Sequence, residues 1–133
     1  MIYYIVDDDS DDQHFLIEAI TENDSTARCY TAYDGQEAIA SLRDGTVPLP
    51  DAIFLDLNMP GLSGKQCLAE IKRQPSLQQI PIIIYSTSSD KNDIRETMKM
   101  GASCFLTKKN SFRELREDLL PITRGIHPEK ALA

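Results

Sequence analysis

The sequence predicts an α/β domain in which helices cover both faces of a doubly wound, five-stranded parallel sheet. Five short apolar runs recur along the chain, and each is followed by a segment whose apolar residues repeat at a spacing of three to four. Strands that alternate with helices are joined by right-handed crossovers, and such crossovers produce a parallel sheet that is buried on both faces. The 133 residues, with 41% hydrophobic content, suffice for one such domain and leave little room for a second.

The first part of the chain contains two strand–helix units. An apolar run over Ile2–Val6 predicts the first strand, and residues 27–32 predict the second. The helices that follow carry apolar stripes, namely Phe15, Leu16, Ala19 and Ile20 in the first and Ala38, Ile39 and Leu42 in the second. Asp34 and Gly35 predict the turn before the second helix, and Gly45 predicts its C-cap.

Three more units follow. Strands are predicted over 52–56, 81–86 and 103–107. Helices are predicted around the stripe of Cys67, Leu68 and Ile71, then over 90–100 and over 111–123. Pro75 ends the first of these helices, and Ser111 with Glu114 three residues later predicts an N-cap for the last. From residue 124 onward the periodicity fades into a tail.

The composition excludes several classes of protein. The chain has 14 Lys and Arg against 21 Asp and Glu, and the resulting net charge of −7 repels nucleic acids and anionic lipids. The longest apolar run, 80–85, is far shorter than the ~20 residues that span a bilayer, and no basic leader precedes the first strand. The three cysteines show no CxxC spacing, which argues against a zinc site. We therefore predict a cytoplasmic protein that binds neither nucleic acid nor membranes.

Polar side chains stand where four of the five predicted strands end. They are Asp7 and Asp8 after the first strand, Asp56 at the third, Ser86 at the fourth and Lys108 after the fifth. Ligands of open parallel sheets bind at the carboxyl ends of the strands, so we expect these side chains to meet. Carboxylates near 4 Å apart repel by about 4 kcal/mol per pair at an effective dielectric of about 20, which calls for a cation. Mg²⁺, which prefers carboxylate and phosphate oxygens, suits this group.

Neighbouring charged residues have simpler interpretations. Asp9, Asp11 and Asp12 stand at the start of the first helix, where acidic residues commonly cap the helix and favour its dipole. Lys109 is interpreted as a solvated lysine. The conjunction of the strand-end positions, not any single residue, therefore indicates a functional site.

Five segments carry a resemblance to a known family. They are IVDDD (5–9), DGQEAI (34–39), FLDLNMPGLSG (54–64), IPIIIYSTS (80–88) and GASCFLTK (101–108). Over residues 1–123 the chain resembles a receiver domain of a two-component response regulator, of the single-domain, chemotaxis-regulator-like kind, with 124–133 as a C-terminal tail. The resemblance implies a flavodoxin-like (βα)5 three-layer sandwich with the strand order 2-1-3-4-5.

The resemblance also implies the chemistry of the strand-end residues. Asp56 would be the phosphoacceptor, and Lys108 would contact the phosphoryl group. Asp7 and Asp8 would hold Mg²⁺ together with Asp56 and the backbone carbonyl of Asn58. A carboxylate is a competent nucleophile toward phosphorus, because it forms an aspartyl phosphate.

Two further positions concern the response to phosphorylation. Ser86 would be the switch hydroxyl and Phe105 the aromatic switch residue, with a packed core aromatic as the alternative interpretation of Phe105. The chain departs from the family pattern at Lys109, where most receivers have proline. Since a cis peptide before a non-proline residue costs roughly 3 kcal/mol, we expect the Lys108–Lys109 peptide to be trans or strained, with a changed aim for Lys108.

The implied function is that of a stand-alone response regulator. It would accept a phosphoryl group from a sensor histidine kinase or a histidine phosphotransfer protein in a Mg²⁺-dependent reaction. It would signal to a downstream protein through the face formed by helix 4, strand 5 and helix 5, and would catalyse only its own phosphorylation and dephosphorylation. The segment IKRQPSLQQIP (71–81) favours regulators paired with phytochrome kinases over motor-binding or phosphorelay types. A second copy of the chain stays open as a partner.

Two alternatives stay open at this point. One is a pseudo-receiver, a binding module in which Asp56 is never phosphorylated; the intact carboxylates argue against it, and Lys109 favours it. The other is a small Mg²⁺-dependent phosphatase of the haloacid-dehalogenase type, which also uses a strand-end aspartate. Asn58 argues against this enzyme, because its chemistry uses an aspartate as acid and base at that position.

Overall fold

The computed structural model describes residues 1–125 and contains a parallel sheet in the order β2-β1-β3-β4-β5. Its strands are β1 (Ile2–Val6), β2 (Arg28–Ala32), β3 (Ala52–Leu55), β4 (Ile82–Ser86) and β5 (Cys104–Thr107). Its helices are α1 (Ser10–Asn23), α2 (Gly35–Asp44), α3 (Gly64–Arg73), α4 (Lys91–Lys99) and α5 (Phe112–Thr123). The predicted doubly wound fold and its strand order are confirmed.

An apolar core lies on each face of the sheet. On one face α2 and α3 pack onto the strands through residues such as Ile39 and Leu68. On the other face α1 and α5 do so through Leu16, Ile20 and Leu119. All residues of β3 and β4 are buried, and apart from Ser86 at the end of β4 these strands are apolar runs without a polar alternation.

Local side chains determine where the helices begin and end. Asp9 caps α1, and Ser63 caps α3 in a reciprocal capping box. The predicted cap of α5 is confirmed, since the N–H of Glu114 donates to the Ser111 hydroxyl at 3.1 Å. Gly45 ends α2 in the left-handed region, with φ of 76°, as predicted.

Several strand ends differ from the prediction by one residue. β2, β4 and β5 each begin one residue later than predicted, and β3 ends at Leu55. Pro81, the predicted first residue of β4, has no N–H for the sheet, although its carbonyl accepts from the N–H of Ile53 at 2.9 Å. Asp56 therefore lies in the loop that follows β3.

Two predictions concern the periphery of the domain. Most of the predicted tail over 124–133 lies outside the described residues, which end at 125. Within residues 1–125 no helix is both long and apolar enough to cross a membrane.

Candidate functional site

Three aspartates meet at the carboxyl edge of the sheet. Asp7 and Asp8 follow β1, and Asp56 follows the adjacent β3, in a register that pairs Val6 with Leu55. One carboxylate oxygen from each aspartate lies within 4.8 Å of the others. Asp7 and Asp56 are only 2% and 5% exposed, whereas Asp8 is exposed. We call these three residues the acidic group.

Backbone amides orient the two buried carboxylates. The N–H of Asp9 donates to Oδ1 of Asp7 at 3.0 Å, and the N–H of Asn58 donates to Oδ1 of Asp56 at 3.3 Å. In both cases the donor lies two residues after the aspartate, as in turns closed by an aspartate side chain. The Oδ2 atoms of both carboxylates face a common cation, Lys108.

A buried amide supports Asp7 from α1. Gln13 is 2% exposed, and its Nε2 donates to the carbonyl oxygens of Asp7 at 2.7 Å and of Ala32 at 3.0 Å. These bonds join the ends of β1 and β2 to α1. Gln13 was absent from the predicted site, although its helical spacing from Leu16 and Ile20 places it on the buried face of α1.

Gly64 allows α3 to begin against the backbone of Asp56. Its N–H donates to the carbonyl of Leu57 at 3.1 Å. A Cβ atom at this position would lie 2.2 Å from the carbonyl oxygen of Asp56 and 2.5 Å from Cα of Leu57. Because no side chain fits in that space, this close approach requires glycine.

Lys108 reaches the acidic group from β5. Its Nζ lies 2.8 Å from Oδ2 of Asp7, 2.8 Å from Oδ2 of Asp12 and 3.6 Å from Oδ2 of Asp56, and its side chain is 10% exposed. The Lys108–Lys109 peptide is trans, the first of the two expected alternatives. The predicted residues Asp7, Asp56 and Lys108 thus come together, and Asp12, interpreted from the sequence as a helix-start residue, joins them.

Burial and charge shift the pKa values in the site. Burial raises the pKa of Asp56 to about 6, and Lys108 opposes this rise. Burial also raises the pKa of Asp7. For Lys108, burial alone would lower the pKa, but the hydrogen bonds to Asp12 and Asp7 outweigh it, so its pKa is raised. An additional cation at the acidic group would therefore stabilise the ionised carboxylates.

A cavity of about 320 Å³ opens beside Lys108, between α1 and the segment that follows β5. Phe15, Tyr85 and Thr87 contribute to its wall. The ring of Tyr85, which is 3% exposed, lies 5.4 Å from Nζ of Lys108, within the range of a cation–π contact. Tyr85 was not among the predicted site residues, because core packing alone explains an aromatic residue in an apolar strand.

Ser86 lies at the end of β4, opposite Thr107 of β5, and is fully buried. Its Oγ accepts from the N–H of Ser88 at 3.3 Å. The hydroxyl of Ser88 in turn donates to Asp93 of α4 at 2.8 Å. A short chain of hydrogen bonds therefore connects Ser86 to α4.

Phe105 lies in β5, where it pairs with Ile84 of β4. Its side chain is half-buried and packs against the core beneath α2 and α3. This placement agrees with the packed-aromatic interpretation, while the switch role of Phe105 stays a prediction.

Comparison with known proteins decides the family. A family model described as the response regulator receiver domain matches residues 4–120. The chain belongs to the response regulator receiver family. This membership confirms the resemblance drawn from the five sequence segments.

Proteins similar to this receiver include a cyanobacterial phytochrome response regulator. Response regulator Rcp1 of Synechocystis sp. is 30% identical over 129 residues, which cover 94% of this chain and 85% of Rcp1. The crystal structure of the phosphorylated cyanobacterial phytochrome response regulator RcpA superposes with a TM-score of 0.82 at 33% identity, covering 91% of this chain and 89% of RcpA. The structure of the Mn²⁺-bound form of Rcp1 superposes with a TM-score of 0.80 at 29% identity, covering 91% of this chain and 90% of the Rcp1 chain.

The acidic group of this receiver fits a divalent cation. Its three donors are carboxylate oxygens, the ligand type that Mg²⁺ and similar hard cations prefer. Receiver domains bind a divalent metal at such a group of aspartates, and the Rcp1 structure was determined with Mn²⁺. The site is therefore suited to the metal chemistry of its family.

Proposed function

We propose that this protein is a stand-alone response regulator that is phosphorylated on Asp56 in a Mg²⁺-dependent reaction. The observation that carries the proposal is the placement of Asp56 between two further aspartates and the ammonium of Lys108, with Nζ 3.6 Å from Oδ2 of Asp56. The donor would be a sensor histidine kinase or a histidine phosphotransfer protein. The match to 85% of the length of Rcp1 supports a regulator of similar organisation.

Asp56 acts as the nucleophile of the transfer. A carboxylate oxygen of Asp56 forms a bond to phosphorus in line with the departing group, while the P–N bond of the donor phosphohistidine breaks. The bond electrons leave with the imidazole nitrogen, which takes a proton from solvent. The charge of Lys108, whose Nζ lies 3.6 Å from Oδ2 of Asp56, would stabilise the phosphoryl oxygens during this transfer.

Asp7, Asp8, Asp56 and the backbone carbonyl of Asn58 would hold Mg²⁺. When bound, the ion neutralises part of the negative charge of the transferring phosphoryl group. Gln13 contributes indirectly, because its two hydrogen bonds hold the backbone of Asp7 in place.

The phosphorylated state is transmitted through α4. Ser86 turns toward the new phosphoryl oxygens, and its hydrogen bond from Ser88, and through Ser88 to Asp93, is lost or rearranged. Phe105, on the strand next to Ser86, moves into the space that this rearrangement opens. The surface of α4, β5 and α5 then presents a changed face to a downstream protein, and a second copy of the chain is a further candidate for this face.

The similarity to phytochrome response regulators supports a light-sensing kinase as the donor. The net charge of −7 supports an output through protein contacts, without nucleic acid or membrane binding. A cytoplasmic location, where such kinases expose their phosphohistidine, is part of the proposal.

Intact-mass measurement tests the proposal. The purified protein is incubated with Mg²⁺ and acetyl phosphate, alongside Asp56→Asn, a metal-free sample and Asp51→Asn as matched control. Asp51 precedes β3 at the opposite edge of the sheet, so its replacement leaves the site intact. We expect one phosphoryl group on the wild type and on Asp51→Asn, and none on Asp56→Asn or without metal.

Other outcomes of that measurement would contradict the proposal. Uptake that persists in Asp56→Asn would show a different acceptor. Absence of an adduct, together with absence of beryllofluoride binding in the presence of Mg²⁺, would establish the pseudo-receiver alternative.

A further inference from the structure

Asp12 is bound to Lys108 but stands outside the acidic group. Its Oδ2 lies 2.8 Å from Nζ of Lys108, as near as that of Asp7, whereas Asp56 is 3.6 Å away. Asp12 lies in the first turn of α1, and its side chain is 39% exposed. The Asp12 bond can therefore be removed without removing a member of the acidic group.

The ammonium of Lys108 has a limited number of donors. It carries three N–H groups, and two of them face acceptors at hydrogen-bond distance, Asp7 and Asp12. Bonds from an ammonium to an anionic oxygen are about 2.7–2.9 Å long, so the 3.6 Å separation from Asp56 leaves that contact incomplete. The ring of Tyr85, 5.4 Å from Nζ, lies beside the ammonium and is, with Asp12, a second neighbour outside the acidic group.

We propose that Asp12 is a positioning residue that competes with the phosphoryl group for Lys108. In the unphosphorylated protein Asp12 holds the ammonium beside Asp56 without letting it close on that carboxylate. When Asp56 is phosphorylated, its phosphoryl oxygens accept the hydrogen bond that Lys108 otherwise donates to Asp12. The bond to Asp12 therefore stabilises the unphosphorylated state relative to the phosphorylated state. The inference rests on the proposed function of Asp56.

Asp12→Asn tests the competition, with Asp11→Asn as its matched control. Both variants remove one negative charge from the first turn of α1, and both side chains line the same cavity. Of the two, only Asp12 contacts Lys108. General effects on the helix and on the local field therefore appear in both variants, and the loss of the Lys108 bond appears in one.

The first readout is the affinity for beryllofluoride, a phosphoryl analogue, titrated in the presence of Mg²⁺. A half-exposed ion pair of this kind corresponds to roughly a two- to fivefold change in an equilibrium constant. We expect Asp12→Asn to bind beryllofluoride about two- to fivefold more tightly than Asp11→Asn. Equal affinities in the two variants would overturn the inference.

The second readout is the side-chain NH₃⁺ resonance of Lys108 in ¹H–¹⁵N spectra of the metal-free protein, assigned by its loss in Lys108→Arg. We expect this resonance in Asp12→Asn to move, and in Asp11→Asn to stay at its wild-type position. A stationary resonance in Asp12→Asn overturns the inference independently of any binding. Wild-type protein that fails to bind beryllofluoride overturns the proposed function, and with it the competition, even where the resonance still reports the Asp12 bond.

Discussion

Helices α1 and α5 are held by buried apolar contacts, whereas α4 is held mainly by exposed ionic ones. Leu16, Ile20 and Leu119 are fully buried between these two helices and the sheet. In α4 only Thr97 is buried. The free energy that keeps a helix in place comes chiefly from buried apolar area, so α1 and α5 form the fixed side of the site.

Direct contacts between α1 and α5 reinforce the fixed side. The amide of Asn23 donates to the carbonyl of Arg116 at 2.9 Å, and the rings of Phe15 and Phe112 meet edge to face with centroids 5.7 Å apart. The matching contacts of α4 come from Lys65 of α3, whose Nζ lies 2.8 Å from Asp93. Partly exposed pairs of this kind contribute little to stability.

Its weaker contacts make α4 suited to move. Lys108 joins the acidic group to Asp12 of α1, on the fixed side. Ser86 is connected through Ser88 to the loosely held helix α4. A local rearrangement at Ser86 has to overcome only weak contacts in order to shift α4.

Truncation of apolar side chains in α5 and α4 tests the comparison with the largest expected effect on the free energy of unfolding. Leu119→Ala removes a fully buried side chain of α5 and is expected to lower the free energy of unfolding by about 3 kcal/mol. Ile94→Ala, which truncates a half-buried side chain of α4, is expected to cost less than about 1 kcal/mol. Urea denaturation followed by circular dichroism measures both. Equal losses of stability in the two variants would show that α4 is held as firmly as α5.

The effect of pH on stability should differ in sign between Asp56 of the acidic group and Asp93 of α4. The folded-state pKa of Asp56 is about 6 against 3.8 for an ordinary aspartate, so the folded protein binds a proton that the unfolded chain releases. The contribution of Asp56 is therefore fully present below pH 3.8 and is lost as the pH rises through 6. Asp56→Asn is expected to exceed the wild type in stability by up to about 3 kcal/mol at neutral pH and to lose this advantage in acid.

Asp93 of α4 supplies the opposite case. Hydrogen bonds from Lys65 and Ser88 lower its pKa, so its contribution is present above the ordinary pKa and is lost as the pH falls. Asp93→Asn is therefore expected to lose stability at neutral pH and to match the wild type in acid. Urea denaturation of metal-free protein across this pH range measures both variants. A change in stability of the same sign with pH in both variants would contradict the opposite pKa shifts of Asp56 and Asp93.

Release of α4 has the smallest expected effect on global stability. Lys65→Met removes the ionic contacts to Asp93 and Glu96 and is expected to cost less than about 1 kcal/mol. Amide hydrogen exchange in α4 should nonetheless become roughly two- to fivefold faster, while exchange in α1 and α5 stays unchanged. Lys91→Met, at an exposed lysine of the same helix, is the control. Faster exchange in all three helices would show that α4 is not separately held.

Much of the site could be predicted from the sequence, because the end of an apolar run indicates where a strand ends. Asp7 and Asp56 directly follow β1 and β3, and Ser86 is the last residue of β4. The carboxyl ends of these parallel strands lie at the same edge of the sheet. The contact between Asp12 and Lys108 could not be predicted, because acidic residues are common in the first turn of a helix whether or not a distant lysine binds them. Gln13 is similar, because only the packed structure shows which carbonyls its buried amide reaches.

Periodicity and local hydrogen bonding act over a few residues, so the amino-acid sequence was enough to predict the order of strands and helices, the strand-end positions of the acidic group and the caps of α2 and α5. The folded structure was needed to show which acids Lys108 contacts, that α4 is loosely held and why α3 begins with Gly64. These features depend on distances between segments far apart in the chain, and burial and close packing determine such distances.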